Sequence, residues 1–479
     1  MITSHSLRQL HVQALSVAGL GIGIVITAVG HAEMESRQIT FAPHGHILTN
    51  IGVWSPDSQW IVYDVRSDPA GEKFDGDRIE RVHVPTGRVE VLFQSQNGAS
   101  CGVVTHNPVD DRVVFIHGPE FPDESWSYSA FHRRGVFLPA IFAANQHRLP
   151  HNLDARNVVP PYTPGALRGG THVHVYSGDG EWVSFTYEDH VLATVADGVD
   201  AQRNQRNVGV AVPLGPVRVP ASHPRNHDGQ CFSVLVTRTV DQARPGSDEI
   251  ERAYEDAWVG RDGYLRVDGG RQRRALAFLG DVRDERGGIV TELFVVDLPD
   301  DVTQRGADPL EGTLTRRPAP PAGTVQRRLT HTTERRYPGI QGVRHWPRSC
   351  ADGSCIAFLM RDDQRHVQLW TIGPEGGQPQ QITQHPFDVA SAFSWSPAGD
   401  VIAYIADGSV FVTRVANQTS ERLTMPIGRS VEADHELGTP RPEACVFAPD
   451  GKSIAYVRSV KTSDGVYNQV FVVQVALGE

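Results

Sequence analysis

The densest run of chemically capable residues lies between 172 and 190. His172-Val173-His174 is a His-x-His triplet, and Tyr187-Glu188-Asp189-His190 follows it. Residues two apart on a strand share a side, so an extended backbone places both imidazoles together. Neutral imidazoles and carboxylates on one rim are the donor set for zinc, manganese or iron. His117 and His345 are the further imidazoles that such a rim would gather, so His172, His174, His117 and His345 are candidate ligands of a divalent metal (Mn, Zn or Fe). A second reading buries one His of the triplet in a hydrogen bond while the other lines a wet channel. A third makes His190 a proton acceptor beside Asp189 or Glu188. Arg66, Arg168 and Arg361 are candidates to pair with a substrate carboxylate. His190, Asp189 and Arg361 form the candidate catalytic set, and His132-Arg133-Arg134 adds a basic triplet. His44-Gly45-His46 reads as loop. Phe74-Asp75-Gly76-Asp77 reads as a turn, since the rest of an EF-type calcium loop is missing. No Gly-x-Ser-x-Gly elbow occurs, which counts against an attached serine hydrolase domain.

These residues are positioned by a repeat. An aromatic residue, Ser-Pro-Asp or Gly, and an apolar run ending in Tyr or Phe recur along the chain. Trp54-Ser55-Pro56-Asp57 leads to Trp60-Ile61-Val62-Tyr63. Trp395-Ser396-Pro397 leads to Ile402-Ala403-Tyr404, and Phe447-Ala448-Pro449-Asp450-Gly451 leads to Ile454-Ala455-Tyr456. Looser copies stand at Tyr176–Phe185 and Asp352–Phe358. Such repetition marks a β-propeller, in which each blade is a four-stranded antiparallel sheet. The phrase makes the turn between a blade's inner strand and its second strand. Second strands begin near Gln59, Arg112, Glu181, Arg274, Ser354, Asp400 and Lys452, which predicts an all-β, seven-bladed ring. Residues 37–41 repeat the Leu/Ile-Thr ending of outer strands and are predicted to close the last blade beside Gln469–Val475. Strand direction brings the start of each inner strand, and each loop after a second strand, to one face. That face would hold His172, His174, the end of 187–190, His117 with Glu120, Asp64, Arg66, Asp68, His345 and Arg361-Asp362-Asp363. The segments 119–171 and 241–274 read as insertions, with a helix over 249–258 capped by Ser247 or Asp248. Residues 317–321 read as a solvent loop.

Net charge is −11, with 21% charged and 39% hydrophobic residues. This argues against a nucleic-acid groove, which wants a basic face. Glycine (46) and proline (32) suit a turn-rich fold. Residues 1–33 hold Arg8, an apolar stretch from Ala14 to Gly30, and Gly30-His31-Ala32, the pattern of a secretory leader. Met34 is the alternative start. The first reading makes residues 34–479 a periplasmic propeller, the second a cytoplasmic one. No run is long enough for a membrane span in the mature chain. Cys350 and Cys355 flank a short turn. They read either as a pair that oxidation would join or as two small buried side chains.

The Trp-Ser-Pro-Asp phrase and the Leu-Thr strand ends resemble the TolB-type propellers. Ile39-Thr40-Phe41-Ala42-Pro43, Phe115-Ile116-His117-Gly118-Pro119-Glu120, 162–170 and Phe358-Leu359-Met360-Arg361-Asp362-Asp363 resemble the YidR-type family of bacterial propellers over about residues 36–475. That family is distantly similar to the oligogalacturonate lyases. Those enzymes hold manganese with three histidines and a glutamine on the ring axis. His172 and His174 resemble part of that cluster, but Gly169 stands where the glutamine would be. The resemblance implies an axial pocket for a small anionic carbohydrate, with a metal that stabilises charge beside a substrate carboxylate. The alternative is a non-catalytic platform for a protein or envelope polymer.

Overall fold

The repeated phrase folds as its side chains dictate. Ser55 Oγ donates to Asp57 Oδ1 (2.5 Å) and accepts from the Trp60 amide, and Ser58 takes a left-handed φ of 59°. Ser177 with Asp179, and Ser396 with Asp400, make the same clamp. The aromatic residue before the turn ties neighbouring blades together. The indole of Trp54 donates to the Val446 carbonyl (3.0 Å), that of Trp395 to Arg348 (2.7 Å) and that of Trp258 to Val175 (3.0 Å).

The computed structural model describes residues 36–68, 71–140, 149–196, 199–425 and 437–475. Met34–Glu479 forms one compact unit. The leader pattern of residues 1–33 lies outside the described residues. Among those described, seven four-stranded antiparallel sheets make seven blades. Their inner strands are Gly45–Ile47, Cys101–His106, Gly169–Tyr176, Ala253–Trp258, Arg348–Ser349, Ser394–Trp395 and Leu437–Phe447. Their second strands are Trp60–Arg66, Arg112–His117, Val183–Asp189, Ala275–Arg283, Ile356–Arg361, Val401–Ala406 and Ser453–Thr462. Each begins within two residues of its predicted start. The first half of each of these strands is mainly apolar because both faces pack on neighbouring blades. Ile61 and Tyr63 of blade one, for example, share a core with Val446, Val457 and Val470 of blade seven.

Ser36–Gln38 pairs antiparallel with Gly465–Gln474, in the register Ser36↔Val473, so the amino end supplies the outer strand of blade seven. This removes an open sheet edge. No described helix is long and apolar enough to cross a membrane.

Three sequence expectations are corrected. Segment 119–171 holds the outer half of blade two, Arg134–Pro139 and His151–Asn152, so much of it is blade rather than insertion. Its long Pro-, His- and Arg-rich connections hide the strand rhythm. Residues 249–258 do not form a helix: Ala253–Trp258 is the inner strand of blade four, and sheet pairing overrides the capping signals. Residues 317–321 are buried, and Arg317 holds the Asp241 carboxylate at 2.5 Å. Cys350 and Cys355 face each other with sulfurs 3.1 Å apart, as thiols.

Candidate functional site

The inner strands do not run straight. Val103, Val173 and Glu255 each adopt a left-handed φ, 56°, 53° and 55° respectively, and each sits in a register shift of its blade's inner strand. Such a conformation costs a non-glycine residue on the order of 1–3 kcal/mol. A bulge of this kind re-aims the side chains around it. At Val173 it breaks the period-two alternation on which the His-x-His reading rests.

The consequence is visible in the two imidazoles. His172 lines a cavity of about 390 Å³ on the ring axis. His174 is wholly buried in the wall against blade two, its Nε2 2.9 Å from Thr171 Oγ1 and its Nδ1 without a hydrogen-bond partner. Burial pushes its pKa down to about 3. Of the readings open in the sequence, this is the arrangement with one buried ring and one lining ring.

The cavity lies on the face expected from strand direction. Its wall carries Arg66 from the end of blade one's second strand, Arg133 from blade two and Arg344 ahead of blade five. Phe74, Tyr128 and Trp346 supply aromatic surface. The three guanidiniums differ. Arg66 Nε donates to the buried Asp64 carboxylate at 2.7 Å and its guanidinium lies 4.6 Å from the Phe74 ring centre. Arg344 Nε donates to Glu255 Oε1 at 2.8 Å and its guanidinium lies 4.6 Å from the Trp346 ring centre. Arg133 is 9% exposed, makes no ion pair among the described residues, and has a buried Nε without a hydrogen-bond partner. Burial lowers its pKa, partly offset by the phenol of Tyr128. Burial also holds the pKa of His172 well below the usual histidine range, with Arg133, Arg344 and Arg206 adding to the effect. The pocket therefore combines a cation with no ion-pair partner among the described residues, two compensated cations and a neutral imidazole at neutral pH.

The other candidate residues lie elsewhere. His345 uses both ring nitrogens, Nδ1 toward the Val343 carbonyl (2.9 Å) and Nε2 accepting from the Leu359 amide (3.1 Å). His117 donates from Nδ1 to the Gly118 carbonyl at 2.8 Å and packs near Phe93. His190 contacts His132 Nε2 at 3.1 Å and lies against Trp126. Asp189 caps the short helix His190–Ala193 and binds the wholly buried Arg168 at 2.6 Å, which makes that pair a fixed strut. Arg361 donates to the Arg365 carbonyl at 2.8 Å. The four candidate metal histidines thus do not converge, and the axial residues do not fit a manganese centre.

A different group converges. His44, His46 and Glu80 bring one ligand atom each to within 4.8 Å of one another and could hold a metal ion. Sequence reading passed over them as loop. The spacing His44-Gly45-His46 was legible, but the carboxylate comes from the third strand of blade one, which residue order does not place beside them.

Comparison with known proteins adds the following. A family described as "Protein of unknown function (DUF3748)" matches residues 100–227. A relative in Escherichia coli (strain K12), "Uncharacterized protein YidR", is 47% identical over 431 residues, covering 89% of this chain and 96% of its own. An oligogalacturonate lyase in complex with manganese superposes with a TM-score of 0.51 at 11% identity, over 93% of this chain and 97% of that one. TolB from Acinetobacter baumannii superposes with a TM-score of 0.34 at 12% identity, over 89% and 66% respectively. The likeness to the lyase is one of fold.

Proposed function

The chain belongs to the YidR family of propellers, and from that premise we propose that its axial pocket binds a small anionic ligand, with sugar acids as the favoured class. One observation carries this reading: the buried guanidinium of Arg133, which makes no ion pair among the described residues and whose Nε has no hydrogen-bond partner, lines the same cavity as His172. An isolated buried cation is costly, and a ligand carboxylate would relieve it through charge-assisted hydrogen bonds. Phe74, Tyr128 and Trp346 give flat apolar faces of the kind that pack against a sugar ring. A lyase acting on oligogalacturonate shares the fold, which supports testing uronates first.

The same residues suit a proton abstraction. With the carboxylate held by Arg133, the neutral imidazole of His172 accepts the proton on the carbon next to it. Arg344 and Arg66 stabilise the negative charge that then spreads onto the carboxylate; the electron pair next forms the double bond and expels the glycosidic oxygen on the adjacent carbon, which takes a proton from water. No metal takes part in this scheme, because His174 is turned away.

A second reading, a non-catalytic platform, is favoured by the opposite mouth of the ring. There a cavity of about 270 Å³ is lined by Trp258, Trp395, Tyr176, Pro108 and Pro397. The leader pattern of residues 1–33 would place either activity in the periplasm, and a start at Met34 in the cytoplasm. Fractionation of a carboxy-terminally tagged chain separates the two.

Calorimetry with galacturonate oligomers and their neutral methyl esters tests the main reading. The acids bind, the esters do not, and Arg133→Gln weakens binding about tenfold or more, as expected for a lost charge-assisted contact. Turnover of the acids to an unsaturated product, lost in His172→Ala, marks a lyase. Equal binding of acid and ester by the wild-type chain would refute the pocket.

A further inference from the structure

We propose that His44, His46 and Glu80 of blade one form a divalent-metal site of zinc type beside blade seven, and that its ion fixes the histidine that bridges the ring's closing joint. The inference is independent of the axial pocket.

The chemistry starts at His46, which is wholly buried. Its Nδ1 lies 2.9 Å from the backbone oxygen of Asn468 on blade seven. A carbonyl can only accept, so Nδ1 carries the proton and Nε2 is left with a bare lone pair. That Nε2 is buried without a hydrogen-bond partner. An unanswered acceptor in a dry site is unfavourable, and a metal ion is one of the few groups that answers it.

The remaining donors stand around it. The ring of His44 stacks on that of His46, with centroids 4.5 Å apart. Its Nε2 also lacks a hydrogen-bond partner and lies 3.6 Å from Glu80 Oε2. Glu80 is buried beside them. Tyr63 donates to its Oε2 at 2.8 Å and Arg78 to its Oε1 at 2.6 Å. Such outer contacts orient ligating carboxylates in metal sites, as the Asn468 carbonyl orients His46. Arg78 is an opposing charge nearby, with its Nη2 3.5 Å from His44 Nδ1. It is already shared between Glu80 and Asp77. Two imidazoles and one carboxylate with an open fourth position are a zinc donor set, whose ligand atoms sit roughly 3.5 Å apart at bonds of about 2.1 Å. The observed 4.8 Å limit closes to that with side-chain shifts of about 1 Å. His44 is partly exposed and gives the ion a way in.

The location supplies the role. His46 sits on the inner strand of blade one and its outer partner belongs to blade seven, 422 residues away. An ion here fixes the ring of His46, whose Nδ1–H reaches across the joint at which the ring closes.

The test uses the full chain, purified without chelator. About one zinc per chain is expected by elemental analysis. After the ion is stripped, cobalt(II) should restore a visible d–d band, and a hundredfold excess of zinc over Kd should raise the melting temperature by about 3–5 °C. His46→Ala and Glu80→Gln should each lose the metal, the band and the shift. His44→Ala, at a partly exposed position, repeats the test should the buried variants fail to fold. His172→Ala should keep all three signals, which separates this site from the axial pocket. A stripped wild-type chain with no cobalt band and no zinc-dependent shift overturns the proposal. So does metal that stays bound in every variant.

Discussion

At the scale of single residues, Glu255 decides how cationic the pocket is. It holds Arg344 at 2.8 Å, so that guanidinium reaches the cavity already compensated. Glu255→Gln keeps the shape and the left-handed backbone but removes the charge. The pocket should then bind uronates roughly threefold to tenfold more tightly, the range for freeing one partly screened cation. Calorimetry at low salt reads this, and unchanged or weaker binding would mean that Arg344 does not face the ligand. What the sequence could reveal at this scale was uneven. His172 and Arg66 were legible because strand direction alone puts the start of an inner strand and the end of a second strand on one face. Arg133 was visible as one of a basic triplet, but its lack of a partner depends on burial. His174 was misplaced because nothing in a valine announces a positive φ at 173. His44 and His46 were dismissed because their third partner, Glu80, joins them only through the cross-strand register Tyr63↔Glu80.

At the scale of elements, the second strands were easy and the inner strands hard. A second strand opens on a mainly apolar run behind a turn phrase, and both signals are local. The inner strands of blades two, three and four are bent by bulges, so polar residues interrupt them and their alternation fails. Pins from neighbouring blades hold them in this shape. Asp64 is fully buried, accepts from the Val103 amide at 2.9 Å and from Arg66 Nε at 2.7 Å, and so fixes the blade-two bulge and a pocket arginine together. Thr105 Oγ1, one residue past that bulge, donates to the His174 carbonyl at 2.7 Å and links it to the bulge of blade three. Asp64→Ala leaves Arg66 as a buried charge without its partner. It should cost about 3–5 kcal/mol in urea unfolding, and anion binding should weaken with it. A loss below about 1 kcal/mol would place the pair among ordinary surface ion pairs instead.

At the scale of the whole molecule, closure by the amino-terminal strand was readable because residues 37–41 repeat an ending seen in other blades. The buried histidines beneath the ring's surface were not, since burial is a property of the assembled wheel. They set its response to acid. His117 and His345 are held at about 4 and His174 at about 3, in each case mainly by burial. The unfolded chain takes up protons at its ordinary value near 6.5, which the folded chain cannot match. These depressed histidine values therefore leave stability intact above pH 6.5 and erode it as the pH falls toward 4. Each ring contributes about 1.4 kcal/mol per pH unit in that window. Asp256 works in the other direction. Burial raises its carboxyl to about 7, so its contribution is largest in acid and fades as the pH rises through 7. Three rings outweigh one carboxyl, and the urea midpoint should fall between pH 7 and pH 5. The triple variant His117→Gln, His174→Gln, His345→Gln would start less stable and lose less on acidification than the wild type, the remaining loss coming from other depressed rings such as His46 and His172. A wild-type midpoint that holds or rises at pH 5 would mean that these rings are solvated and charged, and that the wall between blades two and three is looser than its packing implies.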